Sequence, residues 1–435
     1  MAAPLQAAPG VDDRPARLRL IVETDAGGDP DDEQSLVRFL LYANEWDVEG
    51  IIATRALARD GENRNAERTG LGIVRRLVRA YGECQPNLRT HDDRYPKAEA
   101  LLERTVAGYG GDGGVDLIMK AVDAPDPRPV WFLNWGTDHG SDESSLKRAL
   151  DRVLKEPPAE GYARFKNRLR LSSADRFGDH TTTIGPPFPL WIDTFRPEVD
   201  RRRWYHRFSA LTATAGGFDV QRDVLTGHGP LGALYPTNTT HPQKEGDSMT
   251  FLYLAPTGMN DPDHPGWGSW AGRYGRQEAF PDREYYWANQ RDTWNGSTHR
   301  DNTLARFAAD LQNDFRARLN WCVKPFSEAN HPPVVRIAGD RQRAATDGER
   351  VVLDASETSD PDGDELTFRW WIYREVEPQR GDGRIEDAQS PKASFVPAPG
   401  ESAGTVHVIL TVTDRGSPPL ARYGRVIINV GQRSD

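Results

Sequence analysis

The sequence predicts an α/β protein, a mainly parallel sheet with helices on both faces, followed by an all-β sandwich. Three observations lead there. Leu18, Leu20 and Val22 alternate as in a buried strand, and Leu36, Phe39 and Leu40 follow at helical spacing. Val48 to Thr54 reads as a second strand, so the opening segment forms a βαβ unit, the start of a parallel sheet. Beyond residue 334 the apolar period becomes two, in short strands separated by turn residues.

Between the first strand and its helix lies Asp25-Ala26-Gly27-Gly28-Asp29-Pro30-Asp31-Asp32, four aspartates in a glycine-containing turn. Open α/β sheets bind ligands at that end of their strands. Like charges so close raise one another's pKa unless something positive sits among them. A hard divalent cation is the natural neutraliser, and calcium takes roughly six to eight oxygens. Capping of the helix by Asp31 or Asp32 accounts for one or two of the four. It leaves Asp25 and Asp29 unexplained, so a metal site is the preferred reading.

Composition narrows the classes. At 435 residues the chain has room for roughly two or three domains. A formal net charge of -10 argues against a nucleic-acid partner and not against a neutral sugar. No apolar run reaches about eighteen residues, so no membrane span is expected. Met1 to Pro15 lacks the apolar core of a signal peptide, which fits a cytosolic chain or a mature form without its leader. Cys84 and Cys322 could form one bridge or remain two buried thiols.

After the second strand, Arg55 to Asn65 is a polar loop in which Asn63 and Asn65 could reach sugar hydroxyls or simply fill the loop. A helix is expected over about Ala66 to Tyr81. Gly108 to Gly113 matches G-x-G-x-x-G, but a helical stretch precedes it, so it reads as a connector. No P-loop, H-E-x-x-H or G-x-S-x-G occurs. Pro129 to Gly136 is a strong strand ending in Asn134 and Trp135, and a helix over Ser141 to Leu154 follows. Trp135 could stack on a sugar ring or pack in the core. His228, between two glycines, could be a general acid or an inert loop residue. Asn260 to Trp270 is a loop dense in aromatics and acids. Its Asp261, His264, Trp267 and Trp270 suit carbohydrate, although Asp261 and His264 could equally build a turn. The last helix of this domain spans about Asn302 to Trp321. In the sandwich, Trp370 or Trp371 is expected in the core, and Asp360-Pro361-Asp362-Gly363-Asp364 reads as a tight turn rather than a metal loop.

The strand, Asp25, the glycine-containing turn and the Asp31-Asp32 pair resemble the N-terminal signature of nucleoside hydrolases. Two departures stand out: Glu23 replaces the first Asp of that signature, and the turn is two residues longer. The longer turn, with Pro30 before Asp31-Asp32, is similar to the bacterial cellulose-binding-protein family that joins a nucleoside-hydrolase-like domain to an immunoglobulin/cadherin-like one. The resemblance implies a calcium ion held by Asp25, Asp31, Asp32 and Asp247, with a carbonyl from Thr137 to His139, centred on Asp138. It implies that Asp25 activates water. His228 is the candidate second catalytic group, and Asn63, Asn134, Trp135, Asp261, His264, Trp267 and Trp270 are the candidate substrate contacts. The expected boundaries are a tail over 1–17, a hydrolase-like domain over 18–327, a linker over 328–333 and a sandwich over 334–435. The expected function is calcium-dependent hydrolysis of a pentofuranoside-like glycoside or glycan fragment, with a non-catalytic cellulose binder as the alternative. An exported protein, secreted or periplasmic, with a carbohydrate partner and no nucleic-acid or membrane partner completes the expectation. A homodimer is compatible with it.

Overall fold

A computed structural model describes residues 16–59, 67–138, 140–156, 158–173, 180, 183–197, 208–237, 242–346, 348–376, 383–398 and 404–431. The first sheet is built from β1 (Leu18–Thr24), β2 (Trp46–Ala53), β3 (Thr105–Ala107), β4 (Val130–Trp135), β5 (Leu169–Ser173), β6 (Trp191–Pro197), β7 (Tyr274–Arg276) and β8 (Tyr286–Asn289). Its order is β3-β2-β1-β4-β5-β6-β8-β7. Every pairing is parallel except β7 with β8.

The mainly parallel sheet is covered on both faces, and β1 shows why. Leu20 and Val22 join one apolar cluster with Leu36 and Phe39 of α1 (Asp31–Leu41) and Ile73 and Leu77 of α2 (Gly70–His91). Ile21, pointing the other way, joins a second cluster with Ile118 of α4 (Gly113–Asp123) and Leu146 and Leu150 of α5 (Ser145–Lys155). A short α3 (Ala98–Glu103) precedes β3. A strand buried on both sides is apolar through its middle, here Leu20, Ile21 and Val22, while the buried Arg19, Glu23 and Thr24 toward its ends are satisfied by hydrogen bonds.

Several elements differ from the sequence reading. α2 runs on to His91 through Pro86, because Tyr81, Cys84 and Leu88 keep its apolar face buried. Gly108 to Gly113 lies between strand β3 and α4; β3 is three residues long, too short to leave a periodic trace. The final helix is broken into Asn302–Ala305 and Ala308–Trp321. Cys84 and Cys322 are free and buried. Among the described residues no helix is long and apolar enough to cross a membrane.

After the hairpin β9 (Asp292–Trp294) and β10 (Ser297–His299) come β11 (Gln342–Thr346), β12 (Val351–Asp354), β13 (Leu366–Ile372), β14 (Gly383–Glu386), β15 (Lys392–Pro397), β16 (Gly404–Asp414) and β17 (Ala421–Gly431). They form two sheets, β11-β17-β16-β13 and β12-β15-β14, over a core that includes Leu353, Trp370, Phe395 and Leu410. Trp370 is the core tryptophan, and Trp371 lies half-buried on the opposite side of the strand.

The sandwich is bonded closely to the first domain. Tyr423 N–H donates to the Thr257 carbonyl at 2.9 Å. Gly258, at φ +90°, lies so near that a Cβ there would fall 2.0 Å from the Tyr423 carbonyl oxygen. Asp292, fully buried, accepts from Arg273 at 2.7 Å, Arg306 at 3.1 Å and the Tyr373 hydroxyl at 2.7 Å. Arg425 is buried without a carboxylate; it donates to the carbonyls of Met259 (2.9 Å) and Trp267 (2.6 Å) and meets His407 Nδ1 at 2.8 Å. Burial pulls Arg425 down to about 9 and His407 down to about 3, so His407 is the neutral acceptor of that pair.

Candidate metal centre

The chain winds from β1 through β2 to β3 at one edge, then returns to place β4 on the other side of β1. That reversal opens a crevice at the carboxyl ends of β1 and β4, where Thr24 is paired with Trp135. Asp25 follows directly, and its N–H donates to the Trp135 carbonyl at 3.3 Å. The next residue of the β4 exit, Gly136, has φ +94°, and a Cβ there would lie 2.9 Å from Asp25 Oδ1. Only glycine lets the two strand ends come this close.

The turn then feeds the first turn of α1, where Asp31 and Asp32 are buried. The N-cap is Pro30 and no side chain caps the helix, so neither aspartate is spent on capping. Thr24 donates its hydroxyl to Asp32 and accepts the Ala26 N–H at 3.1 Å, tying the strand end to the helix start.

Asp247 arrives from far along the chain, carried by contacts to α1. Arg38 and Glu245 form a fully buried ion pair. Glu245 also accepts from Tyr235 at 2.6 Å and Ser248 at 2.8 Å. Gln34 Oε1 accepts the N–H groups of Lys244 and Glu245 at 2.7 and 3.1 Å. These bonds hold Glu245 at φ +38°, a left-handed conformation that a non-glycine residue rarely takes. Gly246 then passes beside Asp31, with room for a Cβ only 3.0 Å from Asp31 Oδ2.

The result is a nest of acids. Asp29, Asp31 and Asp32 offer oxygens within 4.8 Å of one another. Burial raises Asp31, Asp32 and Asp247 well above the ordinary carboxylate value, and repulsion among them raises them further; Asp25 adds to the repulsion on Asp32 and Asp247. Burial also opposes the charge on Asp29, but bonds to Asp31 and Lys244 outweigh it and hold Asp29 below the ordinary value. Lys244 pairs with Asp29 and stands 4.0 Å from Asp31, and Arg55 binds Asp25 Oδ2 at 2.8 and 3.1 Å. Among the described residues three cationic side chains, Lys244, Arg55 and, through its charge on Asp29, Arg59, thus face five carboxylates. The donors are all hard oxygens, which fits a divalent cation of the calcium or magnesium kind and not a zinc site of imidazole and thiolate.

Four expected ligands, Asp25, Asp31, Asp32 and Asp247, are brought together. Asp29, Lys244 and Arg55 join them. Asp29 was visible in the turn, whereas only the tertiary fold brings in Lys244 and Arg55. The Asp138 side chain is exposed, with its carboxylate accepting the Gly140 N–H at 2.8 Å and its carbonyl accepting the Ser141 N–H at 3.0 Å. Glu23, read as a lost ligand, is fully buried and accepts the Ser145 N–H at 2.7 Å, anchoring the start of α5.

The expected sugar contacts scatter. Trp135 is fully buried among Phe39 and Phe251 and donates to Thr250 at 2.7 Å, so it belongs to the core. Asn134 is buried and closes the β4 exit on Thr137 at 2.8 and 3.0 Å. His228 meets the Arg222 carbonyl at 3.3 Å and packs by helix Ala308–Trp321 rather than by the acids. Trp267 stacks on His264 at 4.1 Å and its carbonyl binds Arg425; Trp270 is buried with Nε1 directed at the Tyr423 hydroxyl. Asp261 accepts the Asp263 N–H at 3.1 Å and stands 3.6 Å from Arg341 of the sandwich. This aromatic loop therefore seals the seam between domains instead of roofing a pocket. Asn63, Asn65 and His139 lie outside the described residues.

Residues 19–274 match the family model "Cellulose-binding Sde182, nucleoside hydrolase-like domain", and residues 350–430 match "Cellulose-binding protein Sde0182, C-terminal domain". A solved structure of a nucleoside hydrolase-related hypothetical protein from Saccharophagus degradans, described as associated with carbohydrate metabolism, is 31% identical. The match covers 95% of this chain and 100% of that one, with a TM-score of 0.73. The chain matches no curated protein.

Proposed function

The chain belongs to the cellulose-binding Sde182 family, with its nucleoside-hydrolase-like domain, and from that premise we propose that it is a calcium-dependent hydrolase of a glycosidic bond in a glycan fragment or pentofuranoside-like glycoside. The observation that carries the reading is the buried nest of carboxylates at the β1–β4 crevice, where burial first and neighbouring carboxylates second raise Asp31, Asp32 and Asp247. Asp31, Asp32 and Asp247 would hold the ion, with Asp29 beside them. When bound, the ion would polarise a water and clamp neighbouring sugar hydroxyls. Asp25 Oδ1 is the atom that would take the proton from water, since Oδ2 is engaged by Arg55. The neighbouring carboxylates of the nest, and not the protonated Asp25, would favour an oxocarbenium-like transition state.

A second reading, a carbohydrate binder without turnover, is favoured by one specific feature: the candidate base is tied up in an ion pair with Arg55. Membership of a cellulose-binding family supports a carbohydrate partner in either case, and with it an extracellular or periplasmic setting. A panel of nitrophenyl glycosides and nucleosides, with and without chelator, separates the two. Chelator-sensitive turnover supports the hydrolase. Retention on cello-oligosaccharides with no turnover of any substrate supports the binder.

A further inference from the structure

We propose that the sandwich carries its own structural site for a divalent cation of the calcium type, where the segment entering the sandwich meets the β12–β13 loop and the end of β16. Asp360, Asp362 and Asp364 offer carboxylate oxygens within 4.8 Å of one another. Part of this is turn geometry: Asp360 Oδ1 accepts the N–H groups of Asp362 and Asp364 at 2.9 and 3.0 Å, and Gly363 supplies φ +81°. The turn uses only one oxygen of Asp360. Its Oδ2 is buried with no hydrogen-bond partner among the described residues.

The same is true of two neighbours from distant segments. Asp414, 2% exposed, accepts at Oδ1 from Gly416 N–H (3.0 Å), Leu420 N–H (2.9 Å) and Asn330 Nδ2 (3.1 Å), while its Oδ2 is buried and unpartnered. Asn330, 6% exposed, spends both of its amide contacts on Asp414 and the Pro418 carbonyl, and its Oδ1 is buried and unpartnered. Asp414 stands close enough to Asp360 for the second charge to add to the effect of burial in raising it. Buried oxygens without partners cost free energy, and a carboxylate costs more than an amide. His331 braces one member of the cluster, its N–H donating to Asp362 Oδ2 at 2.7 Å and its Nδ1 meeting Oδ1 at 2.9 Å, and Arg415 is paired with Glu365 at 3.0 Å. The donors are all oxygens, four of the five residues are carboxylates, and they come from three stretches of chain, the composition that suits calcium.

Such an ion would fasten the entering segment to two loops of the sandwich. Trp321 Nε1 donates to the Asn330 carbonyl at 2.9 Å, so the fastening extends to the last helix of the first domain. The inference does not depend on the Asp25 nest. Calorimetric titration of the chelator-treated full chain with calcium chloride tests it, using Asp31→Asn to silence the first site and Asp414→Asn or Asp364→Asn to silence the second. Asp364→Asn alters a partly exposed side chain, which guards against a folding defect in the Asp414 variant. The expected result is that Asp31→Asn still binds one ion and is stabilised by it in a thermal melt. Both sandwich variants lose that binding or weaken it by about tenfold or more. The inference is overturned if Asp31→Asn binds no calcium, or if both sandwich variants bind as the wild type does. If only the first site is wrong, wild type and Asp31→Asn bind alike.

Discussion

Glu23→Gln should stabilise the protein at alkaline pH and do little in acid. Glu23 is buried at the end of β1, and desolvation raises its pKa to about 7 from an ordinary 4.5, although bonds from Ser145 and Ser144 and the charge of Arg148 pull it down. A rise of that size corresponds to about 3 kcal/mol. Below pH 4.5 the folded and unfolded chains both hold the proton, and the charge costs nothing. As pH rises from 4.5 to 7, the unfolded chain releases its proton while the folded chain keeps it, so stability falls. Above 7 the full cost remains. Glutamine keeps the Oε1 acceptor for Ser145 N–H and escapes that cost. Urea denaturation followed by tryptophan fluorescence, at pH 4 and pH 8.5 in chelator, should give a variant nearly equal to wild type at the lower pH. At the higher pH it should be about 2–3 kcal/mol more stable. Equal differences at the two pH values would refute the desolvation argument.

Asp31→Ala should abolish calcium binding at the first nest while the sandwich stays folded; unchanged affinity by calorimetry would remove the site. Asp292→Ala leaves Arg273 and Arg306 buried without their carboxylate and should cost about 3–5 kcal/mol in chemical denaturation. Gly136→Ala forces a side chain into a left-handed backbone at about 1–2 kcal/mol and drives a Cβ onto Asp25, so metal affinity and any turnover should fall together. With Cys84 and Cys322 both buried and free, a thiol reagent should find two reactive groups after denaturation without reductant, and native and reduced chains should melt alike.

The opening unit was legible because its signals are local. β1, the acidic turn and α1 lie within 24 consecutive residues, and a two-sided strand, a glycine turn and a helical stripe each leave a pattern of their own. Asp247 was reachable only through family resemblance, since what brings it in is the Arg38–Glu245 pair across the fold. The aromatic loop misled for a related reason. Trp267 and Trp270 carry the composition of a sugar platform, but composition does not say which surface will cover a ring, and here Arg425 and Tyr423 do. The late strands β7 and β8 were missed because they are only three and four residues long. Glu23 looked like a lost ligand because its partner, the start of α5, lies more than a hundred residues away.

The close passage of Gly258 against Tyr423 has a consequence for engineering. A β-sandwich hung on a flexible tether could be exchanged for another module, whereas here main chain meets main chain with no side chain between them. A grafted domain would need the same bare backbone at the meeting point, and any larger residue at 258 would prise the halves apart. On heating, the two halves should come undone in one event rather than in sequence.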